Sequence, residues 1–133
     1  MGWTDIVSDA QGVIAVYHGQ PPDLRRVRVH EVSVSREGPA FRLRIDLPSY
    51  PELPPAKWIR SGFNTVQIEL LFGGVESVLI DGISTNVIAD IDVRVDRGVR
   101  LELTSPSMRV VVSAISAHVL KVGAYLNGEP FSS

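Results

Sequence analysis

Apolar and polar residues alternate along most of the chain from Val27 to Val122, and tight-turn residues separate the alternating stretches. Such alternation places apolar side chains on one face of an extended strand and polar side chains on the other. The pattern predicts an α+β, mainly β protein, in which about eight antiparallel strands form a curved sheet or a two-sheet sandwich. The predicted strands cover about residues 26–35, 40–47, 63–72, 75–81, 87–96, 99–104, 108–114 and 116–122.

Turn residues predict how these strands connect. Gly73-Gly74 separates two of them, and a two-residue glycine link favours a tight hairpin. Arg97-Gly98 and the segment 105–107 predict two further turns. The alternation of the first strand slips by one residue at His30-Glu31, which predicts a β-bulge.

A different pattern precedes the first strand and separates the second from the third. Mixed apolar spacing predicts one N-terminal helix at about 8–18, with Ser8 or Asp9 as its N-cap and Gly19 as its stop. Several prolines at 48–62 predict a long, extended crossing, because proline cannot donate to a strand ladder. Residues 1–133 are expected to form a single domain.

Composition removes several classes of function. The chain has no cysteine, and its 13 Lys+Arg residues do not exceed its 15 Asp+Glu residues, which disfavours direct nucleic-acid binding. No signal-peptide pattern begins the chain and no apolar run approaches the ~20 residues of a membrane span. A cytoplasmic protein without a membrane partner is expected.

No catalytic, metal-binding or cofactor-binding motif is found in the sequence. His18, His30 and His118 lie far apart without zinc-ligand spacing, and phosphate-loop, dinucleotide and G-x-S-x-G motifs are missing. Asp90 and Asp92 share the polar face of one strand, where a solvated row of side chains is a simpler interpretation than a catalytic pair. A non-enzymatic protein without catalytic residues, cofactor or metal is expected.

Several segments together give the chain a resemblance to the immunity protein 50 family of bacterial polymorphic toxin systems. They are Trp3, QPPDL (20–24), RVRVHEVSV (26–34), LRIDLPSYPELPPAKW (43–58) and FNTVQIELLFGGVESVLIDGI (63–83), with P-x-x-P-P-x-K-W the most specific portion. The resemblance covers about residues 3–122. It implies a protein that binds a cognate toxin domain and blocks it without catalysis, and it carries over no functional residue.

Two groups of residues are candidates for contacting such a partner. Residues 63–133 hold five basic and eight acidic side chains, so acidic rows on the second half of the chain suit a basic toxin. Aromatic residues in the proline-rich crossing suit an interface anchor, although Trp58 there is also suited to cover the core. The candidates are Asp81, Asp90, Asp92 and Asp96 for the acidic group and Tyr50 and Trp58 for the aromatic group.

The alternative is a small-ligand or carbohydrate-binding β-sheet module. Tyr50 and Trp58 would line its groove, and Arg42 or Arg44 would orient an anionic ligand. The sequence leaves both functions open, together with the oligomeric state.

Overall fold

The computed structural model describes residues 2–128, which form a mainly β fold of six strands and three short helices. In chain order the elements are α1 (Trp3–Ile6), α2 (Gln11–Val16), β1 (Val27–Ser35), β2 (Ala40–Asp46), α3 (Ala56–Ser61), β3 (Thr65–Asp81), β4 (Val87–Val95), β5 (Val99–Thr104) and β6 (Arg109–Tyr125). None of these helices has the length and apolar character that crossing a membrane requires.

All six strands are antiparallel and close on themselves in the order β1-β2-β3-β6-β5-β4. The two 17-residue strands, β3 and β6, pair along their whole length and belong to both parts of the sheet. We call one part the β1–β2 half; it holds β1, β2, residues 65–73 of β3 and residues 116–125 of β6. The other part, the β4–β5 half, holds β4, β5, residues 75–81 of β3 and residues 109–114 of β6.

The core fills the inside of the closed sheet with the apolar residues of the alternating pattern. Phe41 and Phe72 are fully buried, and their rings meet edge to face at 6.1 Å. Such a pair contributes about 0.5–1.5 kcal/mol beyond the area that it buries. The sequence-based fold class is therefore confirmed, since alternation put these side chains on the inner face.

The predicted hairpin at Gly73-Gly74 is wrong, because the chain continues through both glycines as one strand. Gly74 has a φ of +61°, and the register shifts between Val75 and Ser77, so the pair makes a bulge instead of a turn. A Cβ on Gly74 would lie 2.8 Å from Ile115 Cδ1, which shows how closely β6 approaches. The predicted strands 108–114 and 116–122 are likewise one continuous strand, β6. The described residues therefore form six strands, whereas the sequence predicted eight.

The N-terminal helix is also shorter than predicted. The N-cap of α2 is Ala10, and no side chain caps it, because Ser8 forms a bridge with His118 of β6 and cannot serve as a cap. Asp9, with a φ of +60°, turns the chain from this bridge into the helix.

The crossing at 48–62 is only partly extended. Its last turn forms α3, which begins after Pro55 and ends at Gly62 in the left-handed conformation. Proline suits this position because the first N–H groups of a helix have no partner within the helix. By contrast, the predicted bulge in β1 is confirmed, since the register shifts between Val29 and Glu31.

Candidate partner-binding surfaces

The outer face of the β4–β5 half carries most of the acidic residues that the sequence singled out. Asp81 is opposite Arg109, Arg109 is opposite Thr104, and Thr104 is opposite Asp90, so these four residues form one row across four strands. Neighbouring strands lie about 4.8 Å apart, which separates Asp81 from Asp90 by about 14 Å along the row. Asp92 lies two residues beyond Asp90 on the same face.

Arginines accompany the carboxylates of this face. Arg25 Nη2 lies 2.6 Å from Asp92 Oδ1, and the Arg26 backbone N–H donates to Asp90 Oδ1 at 3.0 Å. Glu102, opposite Asp92, pairs with Arg94 at 2.7 Å and with Arg100 at 3.2 Å. The face therefore presents carboxylates together with arginines, and several of its acidic residues are paired within the protein.

Asp96 and the two aromatic candidates lie apart from that row. Asp96 is in the turn after β4, where its N–H donates to the carbonyl of Gly98 at 3.1 Å. Tyr50 and Trp58 lie in the segment that connects β2 to the start of β3 at Thr65, whereas Asp81 is the last residue of β3. Their ring centroids are 6.2 Å apart, and both side chains are half-buried against the core.

A cavity of about 450 Å³ lies beside Tyr50. The hydroxyl of Tyr17 donates to the carbonyl of Ser49 at 2.6 Å in its wall, whereas the buried hydroxyl of Tyr50 has no hydrogen-bond partner within residues 2–128. Burial raises the pKa of both phenols. The lining residues, which do not include Arg42 or Arg44, are Tyr17, His18, Gln20, Ser49, Tyr50, Pro51, Glu52 and Leu53.

A buried carboxylate that the sequence did not single out lies at the end of β2. Asp46 is fully buried, although it belongs to the outward-facing row of β2. Its Oδ2 lies 2.7 Å from His30 Nε2 and accepts a hydrogen bond from the Tyr125 hydroxyl at 2.5 Å. Its Oδ1 accepts from Gln67 Nε2 at 3.1 Å. We call these four residues the Asp46 cluster.

The Asp46 cluster fixes the end of β6 against β1 and β2. Burial, together with the hydrogen bond to Asp46, raises the pKa of Tyr125, so its phenol remains a donor at neutral pH. His30 keeps part of its side chain exposed, and Arg44 joins the rim through Glu31 and Gln67. The cluster thus presents His30, which is held by its contact with the buried Asp46, and Arg44 lies at its rim.

Sequence reasoning missed this cluster because its members are distant in the chain. Tyr125 and Asp46 are 79 positions apart, and strand alternation places Asp46 on the solvent side. The one available signal was the bulge at His30, which directs that side chain toward Asp46. Within residues 2–128, no three His, Asp or Glu side chains are grouped to hold a metal ion.

Comparison with curated proteins and with solved structures found no match. The family model of immunity protein 50 matches residues 9–125. That range includes all six strands and every residue of the Asp46 cluster. The chain therefore belongs to the immunity protein 50 family.

Proposed function

We propose that this protein is a non-catalytic immunity protein, which binds a cognate bacterial toxin domain in the cytoplasm and blocks it. The match to the immunity protein 50 family over residues 9–125 carries this proposal. The closed sheet supports it, because inhibition by occlusion needs a firm surface that complements the partner and needs no reacting groups.

We propose that the acidic candidates contribute to capturing a basic toxin. Asp81 and Asp90 share one row and Asp92 is adjacent, so a basic partner surface can meet all three. Complementary charges of this kind speed association more than they add to affinity. Because Asp92 already pairs with Arg25, a partner lysine or arginine has to compete for it, whereas Asp96 in its turn is separate from the row.

Tyr50 and Trp58 are proposed as a second contact, at the opposite end of β3. Their mutual contact restricts both rings, and a restricted aromatic pair loses little conformational freedom on binding.

The function is tested with the polypeptide encoded immediately upstream of this gene. A bacterial host expresses that polypeptide with and without this protein, and the two purified proteins are titrated by calorimetry. We expect rescued growth and nanomolar or tighter binding. Neither rescue nor binding would contradict the proposal.

The acidic contacts are tested by replacing Asp90 and Asp92 together with alanine. We expect slower association with the upstream-encoded polypeptide and a weaker dependence of its rate on salt. Glu37→Ala serves as a control at an exposed acid that is not among the candidates. Unchanged affinity and salt dependence in the double variant would exclude these carboxylates from the interface.

The cavity beside Tyr50 favours a second candidate function, a small-ligand or carbohydrate-binding module. The exposed polar side chains of Gln20 and Glu52 line the cavity and can form hydrogen bonds with a ligand, and residues 49–53 of the proline-rich segment form part of its wall. A thermal-shift screen with oligosaccharides and small carboxylic acids tests this function. A shift that Gln20→Ala abolishes would favour the module over the immunity protein.

A further inference from the structure

The end of β3 extends past its neighbour β2. The ladder between the two strands stops at the pair Ala40 and Gly73, and one more bond joins the Val75 N–H to the carbonyl of Pro39 at 3.0 Å. Residues 77–81 then pair with β6 on one side. In the part of the chain that the structure describes, no strand pairs with the other side. We call residues 76–81 the open edge.

The hydrogen-bond pattern identifies which main-chain groups the open edge presents. The Ser105 N–H donates to the carbonyl of Met108, which turns Met108 and every second residue after it toward β5. Arg109, Val111 and Ser113 therefore face β3, where their partners are Asp81, Leu79 and Ser77.

The residues between those partners, Val78 and Ile80, point the other way. Their two N–H groups and two carbonyls lie along the open edge with the i, i+2 spacing of a strand ladder. Another extended strand can form hydrogen bonds with these two N–H groups and two carbonyls at once, because its own main-chain groups have the same spacing.

The side chains around these groups define the partner further. Leu79 is 47% exposed, Ile80 is 44% exposed, and Ile83, just beyond the strand, is 87% exposed. Glu76 and Asp81 flank this apolar run and are both exposed. Lysine and proline, which often protect sheet edges from pairing, do not occur within residues 76–81.

We propose that the open edge binds an extended segment of the toxin, which adds as a strand beside β3. This inference rests on the proposed function and names the mode of binding. The segment carries apolar residues at its centre, against Leu79 and Ile80, and lysine or arginine at its ends, against Glu76 and Asp81. Main-chain hydrogen bonds hold the segment, and the charges at its ends select its sequence.

A second copy of this chain fits the same edge poorly. Two antiparallel copies that pair Val78 with Ile80 place Asp81 of one copy opposite Ser77 of the other. Glu76 of the second copy is the residue next to that Ser77, so each end of the ladder holds two acidic residues at neighbouring positions, and the added strand brings no basic residue to them. A basic segment removes this repulsion.

The main-chain contact is tested with Ile80→Pro, which deletes one edge N–H and places a ring in the path of the added strand. Its control is Ile80→Ala, which shortens the same side chain and keeps the N–H. Both variants are checked by circular dichroism and titrated with the upstream-encoded polypeptide in an inactive form. We expect Ile80→Pro to bind at least tenfold more weakly than Ile80→Ala. Equal affinities of two folded variants would overturn the proposal.

A pair of charge reversals decides the question if Ile80→Pro does not fold. Glu76→Lys with Asp81→Lys changes only exposed side chains, and Asp9→Lys is the control at an exposed acid on the N-terminal segment, away from the open edge. We expect at least tenfold weaker binding for the double variant and less than a twofold change for the control. Tight binding by the double variant would overturn the open-edge proposal and leave the proposed function standing, whereas no binding by the unmodified protein would overturn both. A dimer in sedimentation that Ile80→Pro dissociates would show that a second copy occupies the edge, against the proposal.

Discussion

The two longest strands, β3 and β6, each extend beyond one neighbour, and the fold treats their free edges differently. Residues 116–125 of β6 extend past β5, and the N-terminal segment pairs with that edge at residues 117–119. The Ser8 N–H donates to the carbonyl of Ala117 at 2.9 Å, and the Val119 N–H donates to the carbonyl of Ser8 at 2.9 Å. The open edge of β3 has no such cover in the described residues.

The two edges therefore differ in whether their main-chain groups are available to pair with another strand. The covering segment is held by buried side chains, among them Trp3, whose Nε1 donates to the carbonyl of Pro22 at 2.9 Å. The Asp46 cluster then fixes the end of the covered part of β6. An exposed edge is a site for unwanted pairing, so we infer that the open edge is kept for a partner strand.

The largest expected effect comes from removing the cover. Trp3→Ala deletes a buried indole and should lower the free energy of unfolding by about 3–5 kcal/mol, measured by urea denaturation. Leu79→Ala is the control on the open edge and should cost less than about 1 kcal/mol, because that side chain is half exposed. Equal losses would mean that the N-terminal segment is not a structural cover.

The Asp46 cluster should give the next largest effect. Asp46→Ala leaves the donors of His30, Gln67 and Tyr125 without their shared acceptor, which should cost about 3 kcal/mol. Tyr125→Phe removes one of these bonds and should cost about 1–2 kcal/mol. Asp96→Ala, at an exposed turn position, is the control for losing a carboxylate. A result for Asp46→Ala within 0.5 kcal/mol of that control, a margin of about the size of ordinary surface effects, would contradict the account.

The protein should also lose stability at high pH, because two of its tyrosine phenols are at least partly buried. Burial raises the pKa of the Tyr17 and Tyr125 phenols above their ordinary value of 10.0. The unfolded chain therefore releases these protons first, so the stabilisation is complete below about pH 10 and falls as the pH rises further. Urea denaturation between pH 8 and 11 should show a smaller decline for Tyr125→Phe than for the unmodified protein. Parallel curves would contradict the assignment to this phenol.

The smallest change in stability is expected for substitutions of two side chains that are equally exposed. Ile80 on the open edge and Leu120 on β6 are both 44% exposed. Ile80→Lys and Leu120→Lys should each change the free energy of unfolding by less than about 1 kcal/mol. Of these two variants, only Ile80→Lys should weaken binding of the upstream-encoded polypeptide. An equal loss of affinity for Leu120→Lys would contradict the assignment of binding to the open edge.

Alternation predicted the sheet and its core because each strand reports locally which residues face inward. The outward orientation of Asp90 and Asp92 on β4 and the bulge at His30 were both predicted from that alternation alone. The number of strands did not, because Gly73-Gly74 is compatible with both a turn and a bulge. The close approach of Ile115 on β6 favours the bulge, and that contact is not visible in a local pattern.

The candidate sites were less predictable than the fold. The sequence identified Asp81, Asp90 and Asp92 as outward-facing, but their arginine partners come from other segments, as Arg25 does for Asp92. The open edge depends on where β2 ends relative to β3, which is a matter of register between strands.

Hydrogen exchange at single amides tests the contrast between the two edges most directly. In the free protein, the Val119 amide should exchange slowly because it donates to Ser8, whereas the Val78 and Ile80 amides should exchange rapidly. Addition of the inactive upstream-encoded polypeptide should slow Val78 and Ile80 at least tenfold and leave Val119 unchanged. A bound complex in which Val78 and Ile80 still exchange rapidly would contradict the account.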